Sequence, residues 1–211
     1  KKVVLKELFS SQRNSINYFF DNVDFDKLDV LLNKMSKCRG KIIFSGIGKS
    51  GIIAQKLAVM MISTGNQSSF LNPSDALHGD LGQVNEGDIV VFLSKSGESD
   101  ELLNLIPYIK NKKAWMMAWV SNPTSRLAKQ CNDFFNLPLD KELCPFNLAP
   151  ATSSALQLIL GDILVVALMH LQGFKLESYA KNHPSGRIGK RITYLVDDLM
   201  LKGEELPFCR P

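Results

Sequence analysis

Two stretches of this sequence place small polar residues where chemistry can use them: SGIGKSG at 45–51 and SKSGESDE at 94–101. Each follows a short apolar run and opens into helical spacing, so each reads as a strand-to-helix turn. Such a turn aims the unpaired N–H groups of a helix start, with their partial positive charge, into the crevice beyond the strand ends. Ser45, Ser50, Ser94, Ser96 and Ser99 add hydroxyls, and Lys49 adds an ammonium. Together these donors suit a single phosphate. The spacing argues against a nucleotide: GIGKSG is too short for the P-loop pattern and lacks the third glycine of the dinucleotide pattern. Taken singly, either turn is equally well a tight glycine turn with Ser50 or Ser99 as helix cap. Their pairing, with Lys49 among glycines, favours an anion site.

Groups able to move protons lie near these turns in sequence. Glu98 and Glu101 lie within the second, and Glu101 by itself would serve a helix dipole. Glu142 sits in DKELCPFNLAP, a non-periodic loop; packed inward, it would be desolvated and its pKa raised toward that of a general base. His183, in AKNHPSG, precedes a proline and so takes extended backbone in a loop, where an imidazole titrates near neutrality. His78 has Asp75 and Asp80 close by, but one histidine and two carboxylates at irregular spacing make a weak metal site. No metal or cofactor is expected.

These residues need a frame. Apolar side chains recur every three or four residues over 4–20 and 24–36, which predicts two amphipathic helices. Strand-length apolar runs follow at 41–46, 68–72, 88–94, 114–120 and 133–138, with helical patterns between them at 50–63, 99–111 and 123–130. That alternation predicts an α/β fold with a mostly parallel sheet covered on both faces. A loop rich in Pro and Leu then leads to a long helix over 152–171, for which Thr152, Ser153 or Ser154 can provide the cap.

At 211 residues the chain suits one domain with a short appendage. A net charge of +4, with no basic stretch that interleaves aromatics, gives no nucleic-acid surface. Four scattered cysteines suit reduced thiols in a cytoplasm. The most hydrophobic stretch, 155–171, carries Gln157, Asp162 and His170 and reads as a buried helix rather than a membrane span. No signal-peptide pattern is present.

The segments GIGKSG, STGNQSSFLNPSDALHGDLG, SKSGESDEL, KELCPFNLAPATSS, LMHLQGF and NHPSGRIGKR, in this order, closely resemble the sugar isomerase (SIS) domain of D-arabinose 5-phosphate isomerases, from about Gly40 to Arg191. The resemblance implies a flavodoxin-like three-layer sandwich on a five-stranded parallel sheet over residues 1–192, with 193–211 a linker toward a pair of cystathionine β-synthase (CBS) modules. It implies a cytoplasmic homotetramer that interconverts D-arabinose 5-phosphate and D-ribulose 5-phosphate, feeding 3-deoxy-D-manno-octulosonate and lipopolysaccharide synthesis. The family's catalytic positions fall on Lys49, Glu101, Glu142 and His183. Its substrate contacts fall on Gly65, Asn66, Asn72 and His78, with the two serine loops as phosphate cradle. The chain departs from the family's pattern in having SKSGES for SNSGES, HPSG for HPGG, and Asn72 where a histidine is common. Two rival readings share the phosphate loops: a non-catalytic SIS module that senses a sugar phosphate, and an isomerase of another sugar phosphate.

Overall fold

The computed structural model describes residues 1–184 and 196–207. Two N-terminal helices, α1 (Lys2–Asp21) and α2 (Phe25–Ser36), precede the sheet; Asp24 caps α2 by accepting from the Lys27 N–H at 2.9 Å. Then follow β1 (Ile42–Gly46), α3 (Gly48–Ser63), β2 (Ser68–Leu71), α4 (Pro73–Ala76), β3 (Ile89–Leu93), α5 (Asp100–Leu103), α6 (Ile106–Asn111), β4 (Trp115–Val120), α7 (Arg126–Gln130), β5 (Asp133–Asn136), α8 (Thr152–Leu171) and α9 (Leu176–Asn182). The five strands form one sheet in the order β2-β1-β3-β4-β5, every neighbouring pair parallel. This is the flavodoxin-like order, in which ligands lie beyond the carboxyl ends of the strands where the order reverses, between β1 and β3. Both serine turns leave the sheet at that point.

Side-chain alternation divides the core into two layers. Ile42, Phe44, Val91, Leu93, Met117 and Trp119 face a layer shared with Phe19, Leu31, Leu57, Leu160 and Leu164. Ile43, Val90, Phe92, Met116 and Ala118 face the other, with Leu102, Ile109 and Leu127. The central strands β1, β3 and β4 are buried on both faces, as a parallel sheet between helices requires, and the edge strands β2 and β5 are partly exposed. Helix α8 packs on α1, α2 and α3. Its Gly161 lies so close to Leu57 of α3 that a Cβ would collide with the leucine side chain.

The structure corrects two local expectations. The helix foreseen over 99–111 is two short ones, because Pro107, with no N–H to donate, sits in the first turn of a new helix at Ile106. The helix foreseen over 123–130 starts only after Ser125, whose hydroxyl caps it by accepting from the Ala128 N–H.

Candidate active site

The β1–α3 turn is held by close backbone approach. A side chain on Gly51 would lie 2.6 Å from the Gly46 carbonyl oxygen, so glycine lets α3 begin directly over the end of β1. Residue Ile47 at its N-cap position provides no side-chain cap, leaving the first N–H groups of this 16-residue helix directed outward. Lys49 is exposed and Ser50 half-buried on this turn. Ser45 is fully buried, its hydroxyl donating to the Leu71 carbonyl at 2.8 Å, which fastens β1 to β2.

The second turn is braced from within and from outside. Ser94 Oγ accepts from the Gly97 N–H at 3.0 Å and shares a hydrogen bond with Ser99 Oγ at 3.2 Å. Ser96 Oγ accepts from the Glu98 N–H. Gly97 has φ +67° and leaves no room for a side chain beside Ser125. From α7, Arg126 donates to both carboxylate oxygens of Glu98, through its N–H at 2.9 Å and Nε at 2.5 Å, and to Asp100 at 3.0 Å. Hydrogen bonding from Arg126 holds the Glu98 carboxyl below its ordinary range. The sequence reading missed Arg126; only its distance from Glu98 along the chain concealed it. Glu101 is exposed in the first turn of α5.

Glu142 is the most constrained of the predicted residues. Its side chain is buried, and Oε2 accepts from the N–H groups of Ala151, Thr152 and Ser153 at 3.0, 2.8 and 3.2 Å. These are donors at the start of α8, so the carboxylate performs the capping expected of Thr152, Ser153 or Ser154. The hydroxyls of two of them are used elsewhere: Thr152 bonds Gln12 of α1, and Ser154 bonds the Pro150 carbonyl. Oε1 lies 3.1 Å from the Lys95 ammonium. The expected rise in pKa is overturned. Burial does push the Glu142 carboxyl up, but hydrogen bonding from Ser153 and the Lys95 charge outweigh it and hold the group below the usual carboxylate range.

Asn72 stands at the end of β2, where it caps α4 by accepting from the Ser74 N–H, and His78 is exposed just beyond. Among the described residues, no three His, Cys, Asp or Glu side chains gather as a metal site. The strand carboxyl ends therefore bring together Lys49, Ser50, the Ser94–Ser99 loop, Glu101, Glu142, Asn72 and His78. Gly65 and Asn66 lie elsewhere. They follow the far end of α3, whose last residue Ser63 is roughly 21 Å along the axis from Lys49, and line small cavities with Ile42 and Ser68 at the strand starts. His183 belongs to that end too: Asn182 beside it donates to the Ser63 carbonyl at 3.1 Å. The imidazole stacks on Tyr179 at 4.1 Å, with Nδ1 2.9 Å from the Tyr179 carbonyl oxygen. Pro184 is described, whereas Ser185 and Gly186 of the HPSG motif lie outside the described residues. A cleft of about 920 Å³ is also at the strand starts; Lys34, Lys37, Arg39, Lys110 and Trp115 line it, and none of the predicted site residues does.

Comparison with known proteins adds a relationship to this geometry. A family model described as the SIS domain matches residues 34–167. The chain is 39% identical over 208 residues to an uncharacterized protein of Helicobacter pylori J99, spanning 99% of this chain and 63% of that protein. It is 36% identical over 207 residues to the Francisella tularensis protein named arabinose 5-phosphate isomerase KdsD, spanning 97% and 63%. The chain thus covers a little under two thirds of the length of these curated relatives. A solved structure of an E. coli CFT073 protein in complex with arabinose 5-phosphate superposes with a TM-score of 0.82 at 32% identity, over 86% of this chain and 96% of that one.

Proposed function

Because the chain belongs to the SIS-domain family, we propose that it is an aldose–ketose isomerase interconverting D-arabinose 5-phosphate and D-ribulose 5-phosphate through a cis-enediol. One observation carries the reading: a buried Glu142 is tied by Lys95 to a serine turn at the reversal point of the sheet. A carboxylate beside a phosphate cradle is what proton abstraction from a sugar phosphate requires. The name of the Francisella relative and the sugar phosphate bound to the E. coli protein support the choice of substrate.

In this proposal the phosphate rests on Ser50, Ser94, Ser96, Ser99 and the amides at the start of α3, while Ser45, proposed with them, supports the first turn through its bond to the Leu71 carbonyl. Glu142 moves the proton between C2 and C1, Glu101 shuttles the proton between O1 and O2, and Lys49 balances charge on the enediolate or the phosphate. His183 promotes ring opening, and Gly65, Asn66, Asn72 and His78 contact the sugar. Since His183, Gly65 and Asn66 lie at the opposite end of the sheet from Glu142, they share a site with it only when another copy supplies them. The proposed homotetramer meets that need. Exposed apolar residues on three helices support assembly: Leu5 and Phe9 on α1, Ile52 and Val59 on α3, Ile163 and Val166 on α8. The proposed setting is the cytoplasm, with the product route leading to 3-deoxy-D-manno-octulosonate and lipopolysaccharide, and residues 193–211 forming a linker toward CBS modules.

The test is NMR of the protein with D-arabinose 5-phosphate in D2O, beside ribose 5-phosphate and sedoheptulose 7-phosphate. The expected outcome is ribulose 5-phosphate carrying deuterium, from the arabinose compound alone. Saturable binding without turnover would instead identify a sensing module, and turnover of sedoheptulose 7-phosphate an isomerase of another sugar.

A further inference from the structure

The Lys95–Glu142 pair raises a chemical difficulty that also suggests its resolution. A carboxylate that accepts three backbone N–H bonds and faces an ammonium at 3.1 Å is a poor base, because every one of those partners favours its ionised form. The three amides belong to the start of α8 and are fixed by the fold. Lys95 is not fixed in that way. Its backbone is anchored, the carbonyl accepting from the Ser121 N–H at 2.9 Å, but its side chain is about one third exposed on a flexible four-carbon stem. It also lies between Ser94 and Ser96, inside the turn that the functional reading assigns to phosphate.

We propose that Lys95 has two alternative partners, Glu142 before substrate arrives and the substrate phosphate afterwards, so that arrival of the phosphate releases Glu142 to act as base. This rests on the isomerase reading for the identity of the substrate, but the exchange itself requires only a dianion on the serine turn. The other groups facing Glu142 are the α8 amides, Asn147, whose Oδ1 accepts from the Glu142 N–H at 2.7 Å, and the Cys144 thiol of its own loop, held by the N–H groups of Leu148 and Ala149. Among the described residues, Lys95 alone forms an ion pair with it. Lys95 is therefore the group whose departure changes the charge around Glu142.

The experiment follows the Glu142 carboxyl carbon by NMR through an acid titration, with and without sulfate, which remains a dianion over that range. In the wild type, sulfate should move the Glu142 titration to higher pH. In Lys95→Met it should start higher and move less, since only direct repulsion by the anion remains. Lys95→Arg should restore the wild-type response. Equal sulfate shifts in wild type and Lys95→Met, or no shift in either, would overturn the proposal. Kinetics provide a second reading: Lys95→Met should raise the KM for D-arabinose 5-phosphate about tenfold or more, and an unchanged KM would also overturn it. A wild type that turns over no sugar phosphate would refute the isomerase reading, and the sulfate titration would still decide the role of Lys95.

Discussion

Glu142 joins two tasks at the level of a single side chain. As a carboxylate it closes the start of α8 and pairs with Lys95; as the proposed base it must accept a proton. Glu142→Gln tests both. Turnover should fall by about two to four orders of magnitude, measured against a variant shown by circular dichroism to be folded. Stability should also fall, by about 2–3 kcal/mol near neutral pH, because the amide cannot pair with Lys95 and leaves α8 poorly capped. In thermal melts that corresponds to about 4–12 °C. The pH dependence has a definite sign. The folded carboxyl titrates below its ordinary 4.5, so the contribution is complete above that pH and disappears as pH falls through the lower folded value. Wild type and Glu142→Gln should therefore converge in acid.

The contact between α3 and α8 determines where Glu142 is presented, since α8 starts at the carboxylate and crosses α3 at Gly161. Gly161→Ala should cost about 1–3 kcal/mol by pushing Leu57 aside, read as a lower melting temperature, with the KM for the sugar phosphate shifted less than the melting temperature suggests. At this scale much was legible beforehand. Both N-terminal helices follow from hydrophobic period, the strands from apolar runs of strand length and the 152–171 helix from a long apolar stretch behind Thr152, Ser153 and Ser154, and the order of strands and helices implied the parallel sheet. The break at Pro107 was written in the sequence but hidden by continuous helical spacing on either side. The capping of α8 by Glu142, ten residues upstream of Thr152, was not legible, because it depends on a loop folding back on itself. The ion pairs Arg126–Glu98 and Lys95–Glu142 were out of reach for the same reason: periodicity reports on neighbours along the chain, and these partners meet only through the sheet.

For the whole molecule, the two ends of the sheet divide the predicted residues, with Glu142 and the serine turns at one end and His183 and Asn66 at the other. A site that uses both groups has to be shared between copies. Light scattering on the eluting protein should give the mass of four chains, and Phe9→Glu, which places a charge on the exposed apolar side of α1, should yield smaller species with much reduced turnover. A wild type eluting as a single chain with full activity would refute the shared site. The strand order has a further consequence, for the way the chain comes to be folded. Every neighbouring pair in the sheet is parallel, so no two strands can close through a tight turn, and each pairing waits for a crossover to be made first. Such wiring gives slow folding, dominated by contacts distant in sequence. During synthesis α1 and α2 emerge before the strands and α8 with which Phe19 and Leu31 share a core, and β1 has both of its neighbours only once Leu93 has left the ribosome.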